Sequence, residues 1–156
     1  MSSSHTASTQ LAVFTPTPNH IFSASVNLGT PLGPIPLLEG GQRVVEPITG
    51  GTITGPAFQA TIEGGLAAPI IVSNQDGTKT QLAFIYAYGH AEDGSPFYLE
   101  ESGIGAGPTQ TTRITLNVGG KFEALQRMYI LAQPKVNEEK TLALVECYSV
   151  PLPAWE

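Results

Sequence analysis

Residues 20–28, HIFSASVNL, set Phe22, Ala24, Val26 and Leu28 on one face of an extended chain and Ser23, Ser25 and Asn27 on the other. A period of two is the mark of a strand with one buried face. The same character returns at 42–46 (QRVVE), 52–54 (TIT), 57–63 (AFQATIE) and 69–73 (PIIVS), and NQDG then supplies a tight hairpin turn. Residues 79–88, KTQLAFIYAY, read as the longest strand, with Leu82, Phe84, Tyr86 and Tyr88 on one face. A turn at AEDGS precedes 96–102, and further strands are expected at 111–118, 127–133 and 140–150. Helical periodicity is confined to the short, uncapped stretch 120–127, GKFEALQR. The segment 29–42, with three prolines and four glycines, reads as a loop over the surface or over a barrel mouth.

Many short strands joined by close turns build a sandwich or a barrel. Composition agrees: the 17 glycines and 13 prolines are spread along the chain, and only 13% of the 156 residues are charged against 41% hydrophobic. The expected fold is all-β, a closed antiparallel barrel of about 8–10 strands with at most one short helix. Residues 11–156 form a single domain in this reading. Residues 1–10, MSSSHTASTQ, form a disordered polar leader without the basic start and apolar run of an export signal.

A net charge of −6 and a pI near 4.9 argue against nucleic acid and anionic membranes as partners. No apolar run approaches the roughly 20 residues of a membrane span. Cys147 is the lone cysteine, so an internal disulfide and a cysteine metal cluster are both excluded. The expected location is the cytoplasm.

Residues 44–65, VVEPITGGTITGPAFQATIEGG, carry a proline, Ile-Thr-Gly-Gly-Thr, then Gly55-Pro56 and later Gly64-Gly65. This stretch resembles the signature of a barrel family known as domain of unknown function 3237. The order of the rest is similar too: the Asp93-Gly94 turn, a strand ending at Gly103, the Phe122-Glu123 pair and a final strand holding Glu146 and Tyr148. The resemblance covers about 14–152 and implies a closed barrel, often oligomeric, so a homodimer or higher homo-oligomer is expected. It also implies kinship with fungal members associated with polyketide and related natural-product pathways, which look like cofactor-independent ring-forming or isomerising enzymes. This chain departs from the commoner bacterial pattern at Leu66-Ala67-Ala68-Pro69, at Leu82-Ala83-Phe84-Ile85 and at Ala132, each time by losing a polar group. A greasier interior, suited to an apolar ligand, is what those departures imply. Read without the family, Gly50, Gly51 and Gly55-Pro56 shape a barrel corner more readily than they bind a ligand.

Signatures of nucleotide binding, of a serine nucleophile elbow and of zinc hydrolases are missing. Gly103-Ile104-Gly105-Ala106-Gly107 is followed by Pro108 and no helix, so it is not a dinucleotide loop. His5, His20 and His90 lack ligand spacing, so neither a metal nor a cofactor is expected. Cys147 reads as a small buried hydrophobe rather than a nucleophile.

Acid–base chemistry remains. Glu101 shares parity with Phe97 and Leu99, and Glu146 with Leu142, Leu144 and Tyr148. A carboxyl buried among such residues has a raised pKa, suited to proton transfer near neutrality. Arg113 is a partner for such a carboxylate or for a developing oxyanion; a structural ion pair is the plainer reading of Arg113 and Glu146. Tyr86, Tyr88 and Tyr129, with Phe84 and Leu99, offer surface for an aromatic substrate, or simply wall. The expected activity is a cofactor-free intramolecular cyclisation or isomerisation of an apolar, polyketide-like or prenylated aromatic metabolite, with Glu101, Arg113 and Glu146 as catalytic residues. A lipocalin-like carrier of an apolar molecule and a filled scaffold are the alternatives. Titratable groups facing a cavity separate the first from both.

Overall fold

The computed structural model describes residues 13–153, so the expected leader lies outside the described residues. Ten strands form: β1 (Asn19–Leu28), β2 (Leu32–Pro36), β3 (Gln42–Thr54), β4 (Ala60–Ala67), β5 (Ile70–Ser73), β6 (Lys79–Ala91), β7 (Pro96–Ala106), β8 (Thr109–Val118), β9 (Ile130–Val136) and β10 (Leu142–Ser149). A 3-10 helix, Gly120–Arg127, stands between β8 and β9. The antiparallel order β1-β10-β9-β8-β7-β6-β4-β3 is closed by pairing of β3 with β1, which makes an eight-stranded barrel. Closure removes the sheet edges and leaves an interior about wide enough for side chains or one small ligand.

The closing seam depends on glycine. Gly51 lies opposite Val26, and a Cβ there would fall on the Ser25 carbonyl oxygen, so only glycine lets β1 and β3 approach this closely. The strands expected separately at 42–46 and 52–54 are therefore one, β3, running through Pro47 and Gly50-Gly51. The Pro- and Gly-rich stretch expected as a loop contains β2, an exposed strand laid against the start of β3 with Leu32 opposite Val45. Proline is tolerated there because β2 is an outer edge. Pro69 lacks an N–H and interrupts what is otherwise one strand position between β3 and β6, shared by β4 and β5. At the β7–β8 hairpin Ala106 faces Thr109, and Gly107 (φ +64°) opens the two-residue turn ahead of Pro108.

The two ends of the barrel differ. At one end Phe58, fully buried, meets Phe22, Phe97 and Phe122 edge to face at 5.7, 5.6 and 5.1 Å. Phe122 and Leu125 come from the 3-10 helix, which lies across this end as a plug. Its start is pinned by Asp93, whose carboxylate accepts the backbone N–H groups of Ser95 and Lys121. The expected strand from 127 begins only at Ile130 because the chain is still helical at Arg127. Toward the other end Ala24, Ala83 and Ala143 stand among larger aliphatic side chains such as Leu28, Ile85 and Val136, and a cavity opens between them. Among the described residues no helix is long and apolar enough to cross a membrane.

Candidate active site

The inward face of β7 reads Phe97, Leu99, Glu101, Gly103 and Gly105. Two large apolar side chains fill the plugged half, one carboxyl stands midway, and the glycines contribute no side chain beyond it. Glu101 lines a cavity of about 70 Å³. A cavity of this size holds several waters or one end of a small ligand, well short of the roughly 300–1,000 Å³ of a pocket that swallows a drug-sized molecule. Its wall is mostly apolar, and its polar side chains are Glu46, Gln81, Glu101 and Gln110, with the thiol of Cys147.

Glu101 is 6% exposed, as its parity with Phe97 and Leu99 implied. Burial drives its pKa up to about 7, against the pull of one hydrogen bond. That bond comes from Thr112 on β8, whose hydroxyl donates to Oε2 at 2.6 Å. The same hydroxyl is 3.3 Å from the carbonyl oxygen of Ala132 on β9. When the carboxyl is ionised the Thr112 hydroxyl donates to it; when the carboxyl is protonated, Thr112 can accept a hydrogen bond from it and donate onward to the Ala132 carbonyl. Both protonation states are thus served without rearrangement, which suits a group that gives and takes a proton. Oε1 is left for whatever enters the cavity. Cys147 is fully buried nearby, and burial with the Glu101 charge pushes its thiol far up, so a thiolate is disfavoured.

Of the other residues expected at the site, Leu99 lines the cavity and Phe84 borders its mouth, where the Arg43 guanidinium lies over the ring at 5.4 Å. Arg113, Glu146, Tyr86, Tyr88 and Tyr129 point outward. Ile114 takes the inward place beside Arg113, whose guanidinium instead stacks 4.6 Å over exposed Tyr129. Tyr86 and Tyr88 are 41% and 52% exposed because Ile85 and Ala87 face inward on β6. Glu146 sits on the outer surface, where Ser23 donates to its Oε1 at 2.5 Å and His20 Nε2 lies 2.8 Å away. Those two bonds, Ser23 first, hold its pKa below the usual carboxylate range. The cluster is not a nucleophile with its base, since the serine proton is already committed to the carboxylate. The expected grouping of Glu101, Arg113 and Glu146 is therefore corrected: Glu101 alone faces the cavity. Parity assigns residues to a common face but does not say which face closure turns inward.

Glu46, Gln81, Gln110 and Thr112 were missed. Burial raises the pKa of half-buried Glu46 at the mouth, partly offset by Lys140. The signal was present, since Gln110 and Thr112 share parity with Ile114 and Leu116 as Glu46 does with Ile48.

Among curated proteins none matches the chain in sequence. Several solved structures share its fold. A conserved protein of unknown function from Rhodopseudomonas palustris superposes with a TM-score of 0.76 at 17% identity, over 89% of this chain and all of the other. A β-barrel-like protein from Acinetobacter baumannii gives 0.73 at 15% identity, over 91% of this chain and all of the other. An enzyme from Penicillium herquei gives 0.69 at 20% identity, over 91% of this chain and 99% of the other. At these identities the likeness concerns the fold. The profile of the family described as "Protein of unknown function (DUF3237)" matches residues 16–143, spanning the closing seam, the Glu101 strand and most of the barrel, and the chain belongs to that family.

Proposed function

We propose that this barrel is a cofactor-independent enzyme in which Glu101 carries a proton during an intramolecular cyclisation or isomerisation of an apolar metabolite. One observation carries the reading: Glu101, the more deeply buried of two carboxyls in a mostly apolar cavity, has its pKa raised by burial to about 7. A carrier has no use for such a group, whose ionisation opposes folding, whereas a general base with this pKa is matched to neutral pH. The likeness to a Penicillium herquei protein described as an enzyme adds support at the level of the fold.

In this reading the ionised carboxylate takes an exchangeable proton from a hydroxyl of the substrate through Oε1 while Thr112 holds Oε2. The new intramolecular bond forms, or a double bond shifts, and the proton returns to another atom of the same molecule. Product and substrate have equal mass, and nothing is oxidised or reduced. The cavity is too small for a whole polycycle, so a polyketide-like or prenylated aromatic substrate would insert only its reacting end and leave the rest at the mouth. Confinement of one reactive conformer adds to the rate.

The test is incubation of the protein with prenylated phenols and aromatic polyketide-like compounds in D2O, read by chromatography and mass spectrometry. Formation of an isomer carrying one solvent deuterium, slowed on the order of a hundredfold or more by Glu101→Gln with binding retained, is the expected result. Binding of these compounds without conversion by the wild type would instead make the barrel a carrier.

A further inference from the structure

Gln110 is the second buried polar residue of the cavity. It is 9% exposed, yet its Oε1 has no hydrogen-bond partner. Buried amide oxygens are rarely left so, because the lost hydration costs more than a hydrogen bond returns. The side chain reaches the cavity by lying across Gly105, its register partner on β7, where any Cβ would collide with it. Gly105 thus leaves room for the Gln110 side chain, which fills the place its own would take, at the edge of the cavity.

The charge of the lining narrows what can fill that space. Its ionisable carboxyls are Glu46 and Glu101, and no lysine, arginine or histidine belongs to it. Arg43, over Phe84, and Lys140, which acts on Glu46, lie outside the lining. An anion seated inside would face two carboxyls with no cation in the lining, Arg43 and Lys140 standing only at the mouth, a steep cost in an apolar wall. A hydroxyl suits the site, since it can donate to the amide oxygen or accept from the amide nitrogen, and the terminal torsion of glutamine is soft enough to present either.

We infer that Gln110 is a specificity-determining residue: its amide engages a hydroxyl on an uncharged, single-ring apolar group and places that group beside Glu101. This rests on the cavity being the substrate site, as proposed above. It adds the chemistry of the ligand and the residue that reads it.

Calorimetric titration with toluene, p-cresol and p-toluate at pH 8 tests it. The wild type should bind p-cresol on the order of tenfold more tightly than toluene, the return on one buried hydrogen bond, and p-toluate not detectably. In Gln110→Leu the cresol preference should vanish while toluene binding is kept or improved. Equal affinity of the wild type for cresol and toluene, or measurable toluate binding, overturns the inference whatever the variant does. Those outcomes, with Glu101-dependent isomerisation still seen, would leave the proposed activity standing. Failure of all three probes to bind would remove the pocket on which both rest.

Discussion

Thr112 Oγ1 lies 2.6 Å from Glu101 Oε2 and 3.3 Å from the Ala132 carbonyl oxygen, so one hydroxyl joins the buried carboxyl to the backbone of the next strand. The positions follow from register: Glu101 pairs with Ile114 across β7–β8, Thr112 with Ala132 across β8–β9, and Ala132 with Cys147 across β9–β10. Glu101 is held by the sheet itself.

Removing that hydroxyl should move the titration. Thr112→Val keeps the shape but deletes the bond that lowers the Glu101 pKa, leaving desolvation unopposed. The pKa should rise above about 7, and any pH–rate profile that depends on ionised Glu101 should shift to higher pH by the same amount. Carboxyl-carbon NMR across pH 5–9 measures the shift directly. An unchanged midpoint would show that Thr112 does not govern the charge of Glu101.

Stability should depend on pH through the same group. The folded pKa of about 7 lies above the 4.5 of the unfolded chain, so the native state holds this proton more tightly. Its contribution is fully present below about pH 4.5 and is lost as pH rises to 7 and beyond, a fall on the order of 3 kcal/mol. Glu101→Gln should therefore be more stable than the wild type at pH 8 and similar to it at pH 4.5. Urea denaturation at the two pH values reads the difference, and two parallel curves would contradict the buried ionisation.

Residues turned outward should matter little to turnover. Arg113→Ala loses the stacking over Tyr129, and Glu146→Gln weakens its bonds to Ser23 and His20. These contacts are exposed and contribute within about 1 kcal/mol of stability each. Both variants should keep catalytic rates within about twofold of the wild type at pH 7, whereas Glu101→Gln should not. A hundredfold loss in Arg113→Ala would return that residue to the reaction.

Most strands, the tight turns and the lone helical stretch were legible in the sequence, because alternation and Gly/Pro punctuation are local properties of the backbone; that 42–54 is one strand and that 29–42 holds β2 were not. HIFSASVNL and KTQLAFIYAY could hardly fold otherwise. Local too was the grouping of Glu101 with Phe97 and Leu99, which placed it inside once two large apolar neighbours demanded burial. Elsewhere parity left two choices. On β6 the tyrosines looked like the buried face, yet closure turned Ala83, Ile85 and Ala87 inward, since an eight-stranded interior has no room for that row of rings. On β8 and β10 Arg113 and Glu146 went out for the same reason, with Ile114, Val145 and Cys147 taking the inside. What the sequence by itself determined was a strand pattern and one buried acid. Tertiary structure alone decided which face of each strand closed around that acid, and it brought Gln110 from the neighbouring strand β8 and Glu46 from β3 into its cavity. Curvature and register are properties of the closed sheet, which no single strand contains.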